Sequence, residues 1–156
     1  MNRVEVSAEE VPLPAWSDSA KNFALKTLAE IKRDNWELSV HFCGDKTITA
    51  LNSRYRNKAE ATDILSFNLG ETAQEDNKTF YLPGDIVISL ETLSENAQYF
   101  QISKDEELRR LIIHGILHLD GMDHETMDKS EPMLALQEEI LNRLKDERII
   151  TGGGEK

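Results

Sequence analysis

The segment SKDEELRRLIIHGILHLDGMDH, residues 103–124, carries the clearest structural signals in the chain. Ser103 and Glu106 stand at the spacing of a capping box, the pair of side chains that begins many helices. Apolar residues then recur at helical spacing, and Gly121 stands where a residue with positive φ can end a helix. The segment therefore predicts a helix from about Lys104 to Leu119. The residues of its apolar face are Leu108, Leu111, Ile112, Gly115 and Leu119.

The rest of the chain predicts four short strands and three further helices. The strands are residues 4–6, 36–43, 63–68 and 84–90, and the polar residues 71–78 between the last two predict a mobile loop. The helices are residues 17–33, a short helix from residue 45, and a last helix through residue 144. Ser17, Asp45 and Ser130 are the expected N-caps of these helices, and Pro132 falls in the first turn of the last one.

Strands lie mainly before helices along the chain and are joined by helical crossovers, a pattern typical of a small sheet covered by helices. We expect an α+β fold of the α/β-like kind, with one mixed, mostly parallel sheet of about four strands and about five helices. A chain of 156 residues favours one domain. We assign residues 1–150 to that domain and residues 151–156 to a flexible tail.

Composition limits the possible functions. The formal net charge of −11 argues against general adhesion to DNA, RNA or an anionic membrane, so any RNA would bind locally. No apolar run reaches the ~20 residues of a membrane helix, and the first residues lack a secretory signal, so we expect a cytoplasmic protein. The lone cysteine, Cys43, excludes an internal disulfide and a cysteine-based metal cluster.

Three of the four histidines lie close together in the sequence, at the spacing H-x3-H-x5-H. His114 and His118 are four residues apart, so a helix presents both imidazoles on one side, as two ligands of one metal ion require. Gly121 can turn the chain so that His124 completes the site. The segment thus predicts a metal-binding helix. Zn²⁺, one ion per chain, is the first candidate, and imidazole ligands leave Ni²⁺, Cu²⁺ and Fe²⁺ open.

Three neutral ligands leave a zinc position open for a reactant, which favours a hydrolytic site over a structural one. A structural site would need a fourth ligand such as Asp120 or Asp123. Asp123 could instead cap the turn before His124 or orient a ligand imidazole. The spacing also resembles that of metzincin proteases, but Gly115 occupies the position of their catalytic glutamate. A zinc-dependent hydrolase of peptides or small molecules is therefore the alternative interpretation.

Residues 45–58 form the one basic stretch, with a single acid against Lys46, Arg54, Arg56 and Lys58. A solvated helix face would explain this stretch without any function. A guanidinium can also pair with phosphate through two charge-assisted hydrogen bonds, so the stretch is a candidate RNA contact. Asp85, at the start of the predicted strand 84–90, could hydrogen-bond an imidazole or cap the turn after Gly84.

The histidine motif HGILHLDGMDH, residues 114–124, closely resembles the H-G-x-L-H-L-x-G-x-D-H signature of the YbeY family of metal-dependent bacterial endoribonucleases. Three upstream segments resemble the same family: LNSRYR at 51–56, TDILSF at 62–67 and GDIVI at 84–88. The resemblance covers about residues 40–141. Small departures occur at Asn68, Asp120 and Met122, where the family usually has proline, an apolar residue and tyrosine.

This resemblance implies cleavage of single-stranded RNA in ribosomal RNA maturation, especially at the 3′ end of 16S RNA, with a part in 70S ribosome quality control. Ribosomal RNA and ribosomal particles would then be the partners. The resemblance makes His114, His118 and His124 zinc ligands, and Arg56 matches the functional arginine of the family.

Arg54 and Lys58 are candidate substrate contacts, and Asp85 and Asp123 are candidate partners of the ligand imidazoles. The nucleophile stays open between metal-activated water and the neighbouring 2′-hydroxyl. A noncatalytic ribosome-biogenesis factor with structural zinc is a further alternative.

Overall fold

The computed structural model describes residues 1–151. Its strands are β1 (Arg3–Ala8), β2 (Glu37–Cys43), β3 (Ile64–Glu75) and β4 (Lys78–Ser89). Its helices are α1 (Ser17–Glu30), α2 (Asp45–Arg56), α3 (Leu90–Phe100), α4 (Lys104–Leu119) and α5 (Pro132–Arg143). Of the predicted tail, Thr151 is exposed, whereas residues 152–156 lie outside the described residues.

The four strands form one sheet in the order β1-β2-β4-β3. β1 pairs with β2, and β2 with β4, in parallel, whereas β3 and β4 are antiparallel. The predicted α+β class, with a mixed and mostly parallel sheet, is therefore confirmed. In the described part of the chain, no helix has the length and apolar character that crossing a bilayer requires.

The predicted mobile loop over residues 71–78 is wrong, because these residues belong to a β-hairpin. β3 and β4 stay paired as far as Glu75 and Lys78, which face each other across a two-residue turn. The turn residues Asp76 and Asn77 both have positive φ, 49° and 63°, as a turn matching the twist of a hairpin requires. Asp and Asn tolerate that conformation, which explains how a polar segment without apolar alternation continues a sheet.

The N-cap half of the predicted capping box is confirmed, since the hydroxyl of Ser103 accepts a hydrogen bond from the Glu106 N–H at 3.0 Å. The Glu106 carboxylate accepts from Arg110, also at 3.0 Å. The other three predicted N-caps are wrong. The N-cap residues of α1, α2 and α5 are Trp16, Gly44 and Glu131. The Asp45 carboxylate instead accepts hydrogen bonds from the hydroxyls of Ser89 and Thr92, at 2.7 and 2.5 Å.

The predicted strand 84–90 ends one residue too late, and helix α3, which follows it, is not among the predicted helices. Ser89 ends that strand and is also the N-cap of α3, where its hydroxyl accepts from the Thr92 N–H at 3.3 Å. A single serine thus marks both the end of an apolar strand and the start of a helix.

Helix α4 is the central helix of the core, and most of its residues are buried. It crosses the sheet at Gly115, where an added Cβ would lie 2.9 Å from Ile86 and 3.0 Å from Ile64. At about 100° per residue, His114 and His118 lie about 100° and about 60° around the helix axis from Gly115, both in the same sense, on one flank of α4. Both are half-buried and line a cleft together with Ile64, Ser66 and Asn68 of β3.

The end of α4 has the geometry of a Schellman motif, as predicted from Gly121. Gly121 has φ +94°, and its N–H donates to the His118 carbonyl at 3.0 Å. The next N–H, of Met122, donates to the Leu117 carbonyl at 3.0 Å. The chain therefore reverses direction directly after the second histidine.

A buried carboxylate ties the start of α4 to the end of the described chain. Asp105 is fully buried, and one of its oxygens accepts from the backbone N–H groups of Ile149 and Ile150, both at 2.7 Å. Its other oxygen accepts from Arg109 at 2.8 Å. We call these contacts the Asp105 latch.

Substitution of Gly84 tests how closely β3 and β4 approach each other in the sheet. Its φ is +146°, and a Cβ there would lie 1.9 Å from the Phe67 carbonyl oxygen. We expect Gly84→Ala to lower the free energy of unfolding by about 3 kcal/mol or more, from strain and overpacking together. Gly70→Ala is the matched control, since φ there is +70° and the nearest atom lies 3.8 Å away. It should cost about 1 kcal/mol, measured by urea unfolding. Equal losses in the two variants would contradict this account of Gly84.

Candidate metal centre

The fold brings the three histidines of the motif together. His114 and His118 lie on successive turns of α4, and the turn after the helix carries His124 back toward them. One ring nitrogen from each residue lies within 4.8 Å of the other two. The closest pair joins the Nε2 atoms of His114 and His118 at 3.1 Å.

These distances fit a shared metal ion. Three imidazole nitrogens around tetrahedral zinc stand about 3.3 Å apart, given Zn–N bonds of about 2.0 Å. The Nε2 pair of His114 and His118 is already at 3.1 Å, and a ring nitrogen of His124 lies within 4.8 Å of each. The donor set is compatible with a metal site, and three neutral nitrogens suit zinc among several transition metals.

Each ring has a second contact on its outer side. The Nδ1 atom of His114 lies 2.6 Å from the Oε1 atom of Gln137. His124 Nδ1 lies 2.8 Å from the Thr126 carbonyl, and the His118 ring hydrogen-bonds the backbone of Met122. Because a carbonyl oxygen can only accept, Nδ1 of His124 carries the proton and its Nε2 is free to bind a cation.

Burial favours the neutral, metal-binding form of the two helical histidines. It lowers the pKa of His114, against a raising effect of the hydrogen bond to Gln137. Burial also lowers the pKa of His118, and the neighbouring His114 lowers it further. Both rings are therefore available as neutral ligands at neutral pH.

The three imidazoles lie in a cleft of about 1100 Å³. Its lining includes three cationic side chains and five carboxylates. The cations are Arg56, Arg110 and Lys129, and the carboxylates are Asp63, Glu106, Glu107, Asp123 and Glu138. With neutral histidines the cleft is therefore formally negative, and a divalent cation at the triad would offset that charge.

The two arginines of the cleft differ in what they contact. Arg110 pairs with Glu106, Glu107 and Glu138, at 3.0, 3.5 and 2.9 Å. Within residues 1–151, no ion pair engages the exposed guanidinium of Arg56. Arg56 is therefore available to an anionic ligand of the cleft, whereas the charge of Arg110 is offset by protein carboxylates.

Glu107 is a buried acid of this cleft, 5% exposed. Burial raises the pKa of Glu107, and nearby Asp63 adds to this effect, while Arg110 opposes it. No motif in the sequence marks this carboxyl group.

The remaining predicted basic residues lie apart from the cleft lining. Arg54 is exposed on α2, with its guanidinium over the Tyr55 ring at 5.3 Å from the ring centroid. Lys58 is exposed just beyond the end of the same helix. Both lie near Arg56 in the sequence, but neither lines the cleft.

Asp85 and Asp123, the predicted partners of the ligand imidazoles, make other contacts. Asp85 accepts a hydrogen bond from the Ser39 hydroxyl at 2.5 Å, across the β2–β4 pair. Asp123 lines the cleft and accepts from the backbone N–H of His124 at 2.8 Å, the turn-capping contact that the sequence left open. In the described residues, neither carboxylate is hydrogen-bonded to an imidazole nitrogen.

Two observations weigh against the alternative sites. Asp120, a possible fourth ligand, is held by Arg33 through two hydrogen bonds of 2.8 and 3.2 Å. Gly115 faces Ile64 and Ile86 of the sheet, so a glutamate at this position would clash with the core rather than reach the triad. The protein therefore lacks room for the metzincin base.

Gln137 and Glu138 on α5 belong to the surroundings of the triad, and neither is among the residues predicted from the sequence. Gln137 lies 23 residues after His114 and is 6% exposed. The sequence marks Gln137 only weakly. It lies four positions after Met133 and three before Ile140, so it is a polar residue on the apolar face of a predicted helix. A polar side chain at such a position needs a buried partner.

Comparison with known proteins gives a consistent family. The family model described as Endoribonuclease YbeY matches residues 3–145. A Treponema denticola protein named Endoribonuclease YbeY is 43% identical over 151 residues, covering 95% of this chain and 97% of the relative. A Borreliella afzelii protein of the same name is 45% identical over 127 residues, covering 80% of this chain and 84% of the relative. The solution structure of TM1509 from Thermotoga maritima matches with a TM-score of 0.62 at 25% sequence identity. The match covers 98% of this chain and 99% of TM1509.

The lowered histidine pKa values predict a pH dependence of stability in the metal-free protein. Folding lowers the pKa of His114 and of His118 below 6.5, so the unfolded chain binds more protons just below that pH. Their contribution is complete above the unfolded pKa and is lost as the pH falls toward the folded values. We expect the free energy of unfolding in EDTA to decrease from about pH 7.5 to about pH 5.5. A His114→Asn/His118→Asn variant should show a flatter profile.

His41→Asn is the control, because His41 lies on β2 and contacts Ser7 and Glu9 instead of the triad. Its profile should follow that of the wild type. An unchanged profile in the double variant would contradict the assignment of this pH dependence to the triad.

Proposed function

This chain belongs to the YbeY family of endoribonucleases, and from that premise we propose that it cleaves single-stranded RNA at a zinc site formed by His114, His118 and His124. One ion per chain would bind. The observation that carries the proposal is the approach of three imidazole nitrogens to within 4.8 Å, in a cleft that also contains an unpaired guanidinium.

A catalytic site is favoured over a structural one. The triad supplies three neutral ligands, and Asp120 is already bound to Arg33, so a coordination position stays open to a reactant. When bound, zinc would supply Lewis-acid polarisation of a phosphoryl oxygen. The role of the protein is to hold three nitrogens in place in a cleft whose carboxylates exceed its cations.

Arg56 would bind the scissile phosphate. A guanidinium presents two parallel N–H donors that match phosphate oxygens, and its charge opposes the negative charge that builds up in the transition state. Its freedom from protein carboxylates supports this role, because none of its charge is offset before the substrate arrives. Asp123 would hold the backbone at His124 through its 2.8 Å contact.

The attacking group is either water or the neighbouring 2′-hydroxyl. Attack by the 2′-hydroxyl would leave a cyclic phosphate on one product, whereas attack by water would not. Analysis of the RNA ends distinguishes the two routes.

The biological role that we assign is ribosomal RNA processing, especially maturation of the 3′ end of 16S RNA, together with 70S ribosome quality control. Ribosomal RNA and ribosomal particles are the proposed partners, without DNA or membrane. Residues 1–150 would act as one metallohydrolase domain in the cytoplasm. The single-strand preference fits a cleft that has to receive a phosphodiester and its flanking bases directly.

Two substitutions separate metal binding from phosphate binding in the site. His118→Ala removes one nitrogen of the triad and should lose both bound metal and RNA cleavage. Arg56→Ala should keep its metal and lose roughly 100- to 1000-fold in kcat, the usual cost of removing one group that stabilises transition-state charge. Metal analysis of the purified proteins is paired with cleavage of a single-stranded RNA.

Lys21→Ala is the control, since Lys21 is exposed on α1, an element that contributes no residue to the described cleft lining. It should match the wild type in both assays. RNA cleavage by a demetallated, nuclease-free preparation would overturn the proposed metal dependence.

Arg54 and Lys58 are proposed to bind substrate phosphates outside the cleft. Their replacement by alanine should raise KM and leave kcat close to the wild-type value. For a single-stranded RNA, each phosphate contact removed should reduce the slope of log affinity against log salt by about 0.7. Binding titrations at several salt concentrations measure this slope. An unchanged slope would exclude these two residues from the binding surface.

A further inference from the structure

A chain of hydrogen bonds leads from the metal-binding helix through α5 and back to the triad. Arg110 donates to both oxygens of Glu138, at 2.9 and 3.1 Å. The side-chain amide of Gln137 donates to Glu138 at 3.1 Å, and its oxygen lies 2.6 Å from Nδ1 of His114. Four residues on two helices thus form one continuous series that ends on a histidine of the triad.

The charge of Glu138 fixes the direction of every bond in this series. Partial burial raises the pKa of Glu138, but hydrogen bonds from Arg110 and Gln137 outweigh it, and the net result is a lowered pKa. An ionised carboxylate only accepts hydrogen bonds, so the NH₂ group of Gln137 has to face it. The amide oxygen of Gln137 is then left facing His114.

That orientation selects one form of the imidazole. The amide oxygen is an acceptor, so Nδ1 of His114 has to carry the proton. A neutral ring with its proton on Nδ1 has an unprotonated Nε2, and Nε2 is the atom that lies 3.1 Å from His118. The series therefore leaves the lone pair of His114 on the side of the triad.

The positions of the two helices make this arrangement rigid. Arg110 lies one turn before His114 on α4 and also pairs with Glu106, so its guanidinium is held on its own helix. Gln137 is 6% exposed and therefore has little room to rotate. Orientation of a ligand imidazole by a fixed outer acceptor raises metal affinity, because the ring is already in place when the ion binds.

We propose that Gln137 is a positioning residue that holds His114 in its Nδ1–H form and directs Nε2 toward the metal, with its own amide oriented by the Arg110–Glu138 pair. The inference rests on the proposed function only in treating His114 as a metal ligand. Gln137 itself does not touch substrate.

The test compares two replacements of Gln137. Gln137→Met keeps the length of the side chain but has no strong acceptor, so the metal-free protein should show loss of the pure Nδ1–H form of His114. Gln137→Glu is made together with Glu138→Gln, so that the new carboxylate faces an amide donor. This double variant keeps an acceptor oxygen toward His114 and should retain that form. Long-range ¹H–¹⁵N NMR spectra of the metal-free protein identify the protonated nitrogen. Competition with a chromophoric chelator measures zinc affinity, which should fall roughly 10- to 100-fold in Gln137→Met and stay within a few-fold in the Gln137→Glu/Glu138→Gln variant.

Two further variants complete the design. Glu138→Gln leaves Gln137 in place but removes the obligate acceptor, so the amide can turn over and His114 should become a mixture of both forms. Gln98→Met is the matched control, because Gln98 is exposed on α3, and it should behave as the wild type. The NMR spectra also show directly whether each variant is folded.

A pure Nδ1–H form and wild-type zinc affinity in Gln137→Met would overturn the inference, as would an Nε2–H form in the wild type. These readouts do not depend on RNA cleavage. A wild-type protein with the expected histidine form but without nuclease activity would refute the proposed function and leave this inference standing.

Discussion

The close approach of α4 to the sheet at Gly115 is the constraint on which the rest of the site depends. Any side chain there would collide with Ile64 and Ile86, so this face of the helix is fixed against β3 and β4. The 3.6-residue period of the helix then determines that His114 and His118 lie on one flank of α4, beside its contact with the sheet. The reversal at Gly121 returns the chain toward that same flank. The contact of Gly115 with the sheet therefore determines both how the core packs and where the histidines lie.

The electrostatics of the cleft are unusual for a protein proposed to act on RNA. Its lining contains more carboxylates than cations, and Arg110 is paired with three of those carboxylates. Phosphate would be repelled by such a surface without a compensating charge. A divalent ion at the triad would provide that compensation at the point where we propose that the scissile phosphate binds. Metal binding would thus control both the chemistry and the approach of the substrate, while Arg56 stays free to select a phosphate.

Local signals in the sequence predicted the parts of the molecule that local physics determines. The capping box at Ser103, the helix stop at Gly121 and the histidine spacing all act within a few residues, and the structure has the helix in the expected place. Three features depend on distant contacts and were not predictable in this way. The hairpin over 71–78 exists because β4 provides a partner for β3, Asp85 is bound to Ser39 on another strand, and Gln137 meets His114 only when α5 packs on α4.

The Asp105 latch links α4 to the last residues of the described chain. Asp105 lies in the first turn of α4, yet its backbone partners are Ile149 and Ile150, more than forty residues later. During synthesis on the ribosome, every residue of α4 is added to the chain before these two partners. The Asp105 carboxylate has a local donor in Arg109, but its two backbone donors exist only once Ile150 has been made. The latch thus makes the complete solvation of a buried charge in the first turn of α4 depend on residues that the ribosome supplies much later.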